Sequence, residues 1–255
     1  MSAPAVLSVY KPVGITPLEA LERLRHKIPT LQKEKLAYAG RLDPMAEGVL
    51  LVLVGDECKK RDLYQKLPKS YEVTGVFGIS TDTYDALGMI QRVQTAPLTD
   101  IHKTIQTLLP SYICTFDQPY PPYSSARVNG KPLFYWAREG KIDTITIPSK
   151  HIEITQIQIT DHGEFSGSEL VSLVQDKINN VSGDFRQQEI LETWRKQVPI
   201  KTTFPFITFT INSSHGAYMR SLIHDMGEKS QTGAIALHIK RLSVGNYHVD
   251  EALHI

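Results

Sequence analysis

The segment Gly40-Arg41-Leu42-Asp43-Pro44-Met45-Ala46-Glu47-Gly48-Val49-Leu50 carries the strongest chemical signal in the chain. It sets one carboxylate, Asp43, between glycines, two residues after a guanidinium and directly before a proline. Proline disfavours the helical region for the residue that precedes it, so Asp43 is expected in turn or extended backbone. Glycines let a ligand approach the chain closely. The apolar run 49–54 before Gly55 reads as a buried central strand. Active-site carboxylates are often held on constrained loops that lead into such strands. Asp-Pro is also an ordinary turn pair, and spacing alone does not separate the two readings. Arg220 falls in a helical stretch and Tyr71 in a β-rich one. Taken singly, the first could lie on a solvated helix face and the second in a core.

The elements that must hold these groups follow from periodicity and capping. Residues 6–10 read as a short strand. Thr16-Pro17-Leu18-Glu19 opens a helix, with Thr16 as cap, Pro17 in the first turn and Glu19 placed for a capping box. Leu18, Leu21 and Leu24 would form its apolar face. Residues 71–78 are rich in β-formers, and residues 98–109 have apolar positions at helical spacing behind Thr99 or Asp100 as cap. Residues 132–139 read as a short helix stopped by Gly140. In 151–160 the apolar phase flips from Ile152 and Ile154 to Ile157 and Ile159, which predicts a bulge near Gln156. Residues 161–200 read as a polar, peripheral insertion with one or two helices. A strand at 205–212 precedes a helix at 217–229 with Met219, Leu222, Ile223 and Met226 facing inward, and 235–244 reads as the final strand. Strands and helices mix without a βαβ period, which predicts an α+β fold on a mixed sheet, one domain over residues 1–255.

Composition narrows the function classes. Hydrophobic residues make up 41% of the 255, enough for a sizeable core. No apolar run approaches the ~18 residues of a membrane span. The N-terminus lacks the basic-then-apolar pattern of a signal peptide, so a cytoplasmic protein is expected. Cys58 and Cys114 are too few and too far apart for a zinc site or a disulfide framework and are expected to be buried. No P-loop, dinucleotide fingerprint or His/Cys cluster points to a nucleotide, redox group or metal. Net charge is +1, but residues 1–69 hold 12 Lys and Arg against 8 Asp and Glu, whereas residues 161–200 hold 4 against 7. A polyanion would be drawn to the first region and repelled by the second, although solvated charge explains the same counts.

Other stretches accompany the Asp43 segment. Tyr10-Lys11-Pro12-Val13-Gly14-Ile15-Thr16 precedes it. Lys69-Ser70-Tyr71, then Gly78-Ile79-Ser80-Thr81-Asp82-Thr83-Tyr84-Asp85, then Gly216-Ala217-Tyr218-Met219-Arg220-Ser221-Leu222 follow, the last continued by Asp225-Met226-Gly227 and Arg241-Leu242. A weaker stretch is Pro122-Tyr123-Ser124-Ser125-Ala126-Arg127-Val128-Asn129-Gly130-Lys131-Pro132-Leu133. In this order, over residues 8–245, they resemble the motifs of the TruB family of tRNA pseudouridine synthases, whose central motif is G-x-L-D-P-x-A-x-G-x-L.

The resemblance implies a pseudouridine synthase fold, a mixed and largely antiparallel sheet flanked by helices. It implies an isomerase that converts uridine-55 in the T-loop of tRNA to pseudouridine, acting as a monomer on the T-arm. That reaction breaks the N-glycosidic bond, turns the base and rejoins it through C5. The atoms of the uracil balance, so the resemblance implies no cofactor and no metal. Residue by residue, Asp43 matches the nucleophile and Arg220 the arginine that pairs with it. A guanidinium so placed keeps a carboxylate ionised and oriented. Tyr71 matches the aromatic that stacks on the target base, its hydroxyl a candidate for removing the C5 proton, and Leu242 an apolar wall of the uracil pocket. Lys11, Lys69 and Arg127 are candidate phosphate contacts, and residues 122–150 match the loop that grips RNA like a thumb. The base must leave its stack before Asp43 can reach it, at a cost of a few kcal/mol.

The chain departs from the pattern at several positions. Tyr38 stands where many members place a histidine that helps displace the base. Arg41 replaces a small residue, and His215 a lysine. The sequence stops at Ile255, soon after Arg241-Leu242, so the small C-terminal RNA-binding PUA domain of bacterial members is not expected. Gly-Arg-Leu-Asp also occurs in synthases of the RluA/RsuA group, which modify ribosomal RNA, and this supplies the alternative reading. Asp43-Pro44, Lys69-Ser70-Tyr71 and Thr81-Asp82-Thr83 oppose it. A non-catalytic RNA-folding module is a second alternative, against which Asp43, Tyr71 and Arg220 stand together. A guide-dependent enzyme like dyskerin is a third, and such enzymes also depend on a PUA domain.

Overall fold

Runs that alternate at period two, or are apolar throughout, build most of the strands into one sheet. The computed structural model describes residues 4–94 and 98–255. In chain order the strands are β1 (Val6–Lys11), β2 (Leu36–Ala39), β3 (Ala46–Val54), β4 (Lys69–Phe77), β5 (Ile79–Thr81), β6 (Ile90–Val93), β7 (Thr115–Pro119), β8 (Arg127–Val128), β9 (Lys131–Pro132), β10 (Ser149–Ser166), β11 (Thr203–Ser213), β12 (Ala234–Val244), β13 (Tyr247–His248) and β14 (Leu253–His254). The α-helices are α1 (Pro17–Lys27), α2 (Arg61–Gln65), α3 (Ile101–Leu108), α4 (Leu133–Arg138), α5 (Gly167–Asn179), α6 (Gln187–Gln197) and α7 (Met219–Lys229).

Ten strands form the main sheet in the order β14-β1-β3-β12-β4-β11-β10-β7, with β2 beside β3 and β13 beside β12. Only β1 with β14 and β3 with β12 pair in parallel, so the sheet is mixed and largely antiparallel. Strands β3 and β12 are therefore central, and the Asp43 loop opens directly into the middle of the sheet.

Each face of the sheet has its own core. On one face Tyr71, Val73 and Phe77 of β4 and Phe209 and Ile211 of β11 pack against Ile105 of α3 and Leu222, Ile223 and Met226 of α7. On the other, Val76, Phe204, Ile235 and Leu237 pack against Leu170, Val174 and Ile178 of α5 and Ile190 and Trp194 of α6. Residues 161–200 are thus not peripheral. Their polar residues face solvent, and one apolar stripe of each helix completes the second core. The α5–α6 connection also reaches the N-terminal motif: the Ser182 amide donates to Gly14 O at 2.8 Å, and its hydroxyl donates to Glu19.

Local expectations hold where a short-range force decides them. Thr16 caps α1 through the Glu19 amide at 3.2 Å. The phase flip in β10 is a register shift between Ile154 and Gln156, and a second shift lies between Ile159 and Asp161. Met219, Leu222, Ile223 and Met226 are all buried. Expectations fail where tertiary packing chooses. Leu18 is 63% exposed, because α1 turns Ala20, Leu21 and Leu24 inward. Cys58 is half-buried and Cys114 exposed. Asp100 begins α3 in the left-handed region, φ 57°, without a side-chain cap. Strand β12 is not the last, since β14 returns to pair with β1.

Candidate active site

The Asp43 loop joins β2 to β3 and is held from several sides. The Ala46 amide donates to Asp43 O at 3.0 Å, closing the Pro44-Met45 turn, and the Gly14 amide donates to Pro44 O at 2.8 Å. Gly48 has φ +106°, and a Cβ there would lie 2.2 Å from Arg241 O. The glycine therefore permits β12 to pass against the loop's exit.

Arg220, at the N-terminal turn of α7, meets Asp43 across 177 residues of sequence. Its Nε donates to Asp43 Oδ2 at 2.8 Å, Nη1 to Thr83 O at 2.6 Å and Nη2 to Tyr123 O at 3.2 Å. A second carboxylate, Asp85, lies 3.6 Å from the same Nε. The Arg220 side chain is 3% exposed and that of Asp43 29%, so the pair is anchored inside and open on the carboxylate side. A buried guanidinium without partners would cost several kcal/mol, and here every nitrogen is engaged. Burial alone lowers the Arg220 pKa, but the charges of Asp43 and Asp85 outweigh it and the net shift is upward. Burial pushes Asp85 up to about 6 against the pull of Arg220, while Thr83 Oγ1 and the Leu87 amide donate to its Oδ1 at 2.6 and 2.9 Å.

Tyr71 enters the same site from β4. It is buried beside Leu42 and Ala46 in the first core, and burial raises its pKa against the opposing pull of the Arg241 charge. Arg241, 1% exposed on β12, donates from Nε to Val49 O at 2.7 Å, from Nη2 to Gly40 O at 3.1 Å and from Nη1 to Arg41 O at 3.4 Å. One guanidinium thus ties the start of the Asp43 loop to strand β3 beyond it.

The family model for the N-terminal domain of TruB family pseudouridylate synthases matches residues 29–176, more than half of the chain. The chain belongs to the TruB family. It is 31% identical over 97% of its length to tRNA pseudouridine synthase B of Thermosipho melanesiensis and 28% identical over 98% to that of Lactobacillus acidophilus, covering 66% and 71% of those proteins. It therefore spans about two thirds of the length of the curated relatives it matches. Among solved structures, a Cbf5-Nop10-Gar1 complex matches 98% of this chain and 52% of its own at TM-score 0.59 and 16% identity. An H/ACA RNP bound to a substrate RNA containing 2'-deoxyuridine matches at TM-score 0.56 and 16% identity. Likeness at that identity shows a shared fold.

Within this TruB scaffold the residues expected to touch phosphate divide. Lys11 is fully buried: its Nζ donates to Pro12 O and Ile15 O, both at 2.8 Å, and burial pulls its pKa down to about 7. Lys69 is 6% exposed, and its Nζ donates to Gln65 O and Leu67 O. An ammonium enclosed and spent on backbone carbonyls does not reach a phosphate, so both expectations are corrected: these lysines fix loops. Arg127 is exposed on the β8–β9 hairpin, bonded to Gly130 O at 2.7 Å, and remains available. The hairpin belongs to the 122–150 region, whose base meets the site through Tyr123 O and Arg220.

Leu242 is half-buried and is the extra residue of a β-bulge, lying between the pairs Arg241–Tyr71 and Ser243–Ser70. Bulges beside active sites re-aim side chains. Tyr38 and Arg41 form one unit: Arg41 Nη2 donates to Tyr38 Oη at 3.1 Å, and the Arg61 guanidinium lies 5.7 Å from the Tyr38 ring centroid. Sequence reasoning gave no role to Asp85 or Arg241, although both stood in the quoted stretches. A charge that is buried and paired has no period of its own, so only the surrounding motif could have flagged it.

Proposed function

We propose that this chain isomerises a uridine of tRNA to pseudouridine, with the T-loop uridine-55 as target and Asp43 as the nucleophile. The observation that carries the reading is the 2.8 Å contact between Arg220 Nε and a partly open Asp43 carboxylate. Arg220 engages Oδ2, which leaves Oδ1 as the attacking oxygen. Attack, cleavage of the N-glycosidic bond, rotation of the uracil and reattachment through C5 consume nothing and release only the C5 proton, which is replaced at N1. Tyr71, buried beside the loop, is the aromatic that would stack on the base. Burial raises the Tyr71 pKa overall, and the Arg241 charge opposes that rise, toward the phenolate form able to accept the C5 proton. The open carboxylate side of Asp43 is where a base flipped out of the T-loop would arrive. The names of the curated relatives, each a tRNA pseudouridine synthase B, support tRNA as substrate.

The test is to map pseudouridine in total RNA from cells with and without the gene, and with the gene restored as Asp43→Asn. Loss confined to the T-loop uridine of tRNA, not restored by Asp43→Asn, is expected. Loss confined to ribosomal RNA would replace this reading with the RluA/RsuA-like one, and no loss would leave an RNA-folding module.

A further inference from the structure

A cavity of about 440 Å³ lies at the rim of the main sheet, where β4 begins and β11 and β12 end. Residues that carry hydroxyl and amide side chains line it from neighbouring strands, among them Ser70, Asn212, Ser213 and Ser243. Ser213 is 2% exposed, and its buried Oγ has no hydrogen-bond partner. A buried hydroxyl left unpaired costs about 1–3 kcal/mol, so an orphan in a residue that lines the cavity, just behind its surface, points to a group that is absent from the protein itself. Ser214 Oγ accepts from the Glu153 amide at 2.8 Å, which leaves its own hydrogen free to donate.

The surrounding charge selects the sign of that group. Lys66 lines the cavity and is exposed, and Lys150 packs against Gly216, three residues beyond Ser213. Neither forms an ion pair among the described residues. His215 reports the local field: its pKa is lowered first by burial and then by Lys150, Lys69 and Lys66. Glu153 is the one acid on the wall, and it is exposed. Hydroxyl donors behind and lysines around form a receptacle for an anion carrying little charge.

Two segments that line the cavity continue into the catalytic site. Lys69 precedes Tyr71 by two residues on β4, and its Cε lies 3.6 Å from where a Cβ on Gly40 would be. The turn Ser213-Ser214-His215-Gly216 runs straight into α7, which carries Arg220. We propose that this cavity is a phosphate subsite that seats a backbone phosphodiester of the RNA strand whose uridine enters the Asp43 site, with Ser213 and Ser214 as donors and Lys66 and Lys150 as counter-charges. It rests on RNA being the substrate.

The experiment uses the full chain, a T-arm stem-loop RNA and a series of the same RNA with single uncharged methylphosphonate linkages. Lys66→Gln with Lys150→Gln is expected to weaken binding at least tenfold and to lower the log–log salt slope by roughly one to two units, the loss falling on KM rather than kcat. Glu153→Gln should tighten binding. Ser213→Ala removes the orphan hydroxyl, so it should raise Tm while weakening RNA severalfold, an opposition that mere packing would not produce. One methylphosphonate position should cost affinity in the wild type, less in Ser213→Ala, and nothing further when the two lysines are also replaced. The proposal is overturned if Ser213→Ala and the lysine pair leave affinity and salt slope unchanged, or if every linkage costs the same in all variants. Saturable binding of inorganic phosphate that Ser213→Ala abolishes, with RNA affinity untouched, would assign the cavity to a free anion and also overturn it. A wild type that does not bind the stem-loop at all overturns the proposed function itself, a result separable from the others.

Discussion

The molecule uses two sets of its basic residues in opposite ways. Arg220, Arg241, Lys11 and Lys69 are buried, and each spends its hydrogen-bond donors on carbonyls or carboxylates of the protein. Arg41, Lys66 and Arg127 are exposed, with few fixed contacts. The first set pays desolvation and returns geometry: it defines where the carboxylate, the tyrosine and the loop stand. The second set keeps its charge in water, where it is worth affinity and salt dependence. Basic residues near a polyanion site are therefore not one class, and burial decides which kind each is.

The sharpest break in this comparison is at the centre. Asp43→Asn should keep the fold and lose turnover by at least about a thousandfold, since an amide is no nucleophile. Single-turnover assays on a T-arm RNA measure this, and activity within tenfold of wild type would remove Asp43 from its role. Arg241→Met should act on stability instead. It strands the carbonyls of Gly40, Arg41 and Val49, and denaturant unfolding should show a loss of about 1–3 kcal/mol. A change under about 1 kcal/mol would mean that the loop holds itself.

Arg220→Lys conserves charge but replaces a fork that reaches Asp43, Thr83 and Tyr123 with a single point charge. The expected loss is about a hundredfold in kcat, roughly 2.7 kcal/mol, with RNA affinity changed little. Lys11 gives a pH signature. Its folded pKa, about 7, lies below its unfolded value of 10.5, so between these the unfolded chain binds more protons. Stability of the wild type relative to Lys11→Met should therefore rise with pH from about 7 to 10, by at most about 1.4 kcal/mol per unit. A flat difference would show the ammonium to be hydrated. The smallest effect is expected on the exposed side. Arg127→Gln should weaken RNA binding only severalfold and lower the salt slope by about one unit, leaving kcat and Tm in place. A large loss of kcat instead would move Arg127 from the second set to the first.

Legibility followed the range of the forces. The strand through residue 49, the Thr16 cap, the bulge at Gln156 and the inward face of α7 were readable because neighbours in sequence determine them. The role of residues 161–200 was not, since a polar helix pair hides its stripe of Leu170, Val174, Ile190 and Trp194 until a sheet face asks for it. The catalytic candidates Asp43, Tyr71 and Arg220 were legible through the motifs of the family to which the chain belongs.

What the sequence determined by itself is the set of local elements, the chemistry available at each position and the family. What only the tertiary structure decided is which charges meet. Asp43 and Arg220 are separated by 177 residues, Arg241 reaches Gly40 across 201, Lys11 leaves the solvent altogether and Lys69 nearly so. Sequence period reports whether a residue faces inward or outward relative to its own strand or helix. Whether a cation there finds a carbonyl, a carboxylate or water depends on elements that arrive from elsewhere in the chain, and that pairing fixes both its pKa and its role.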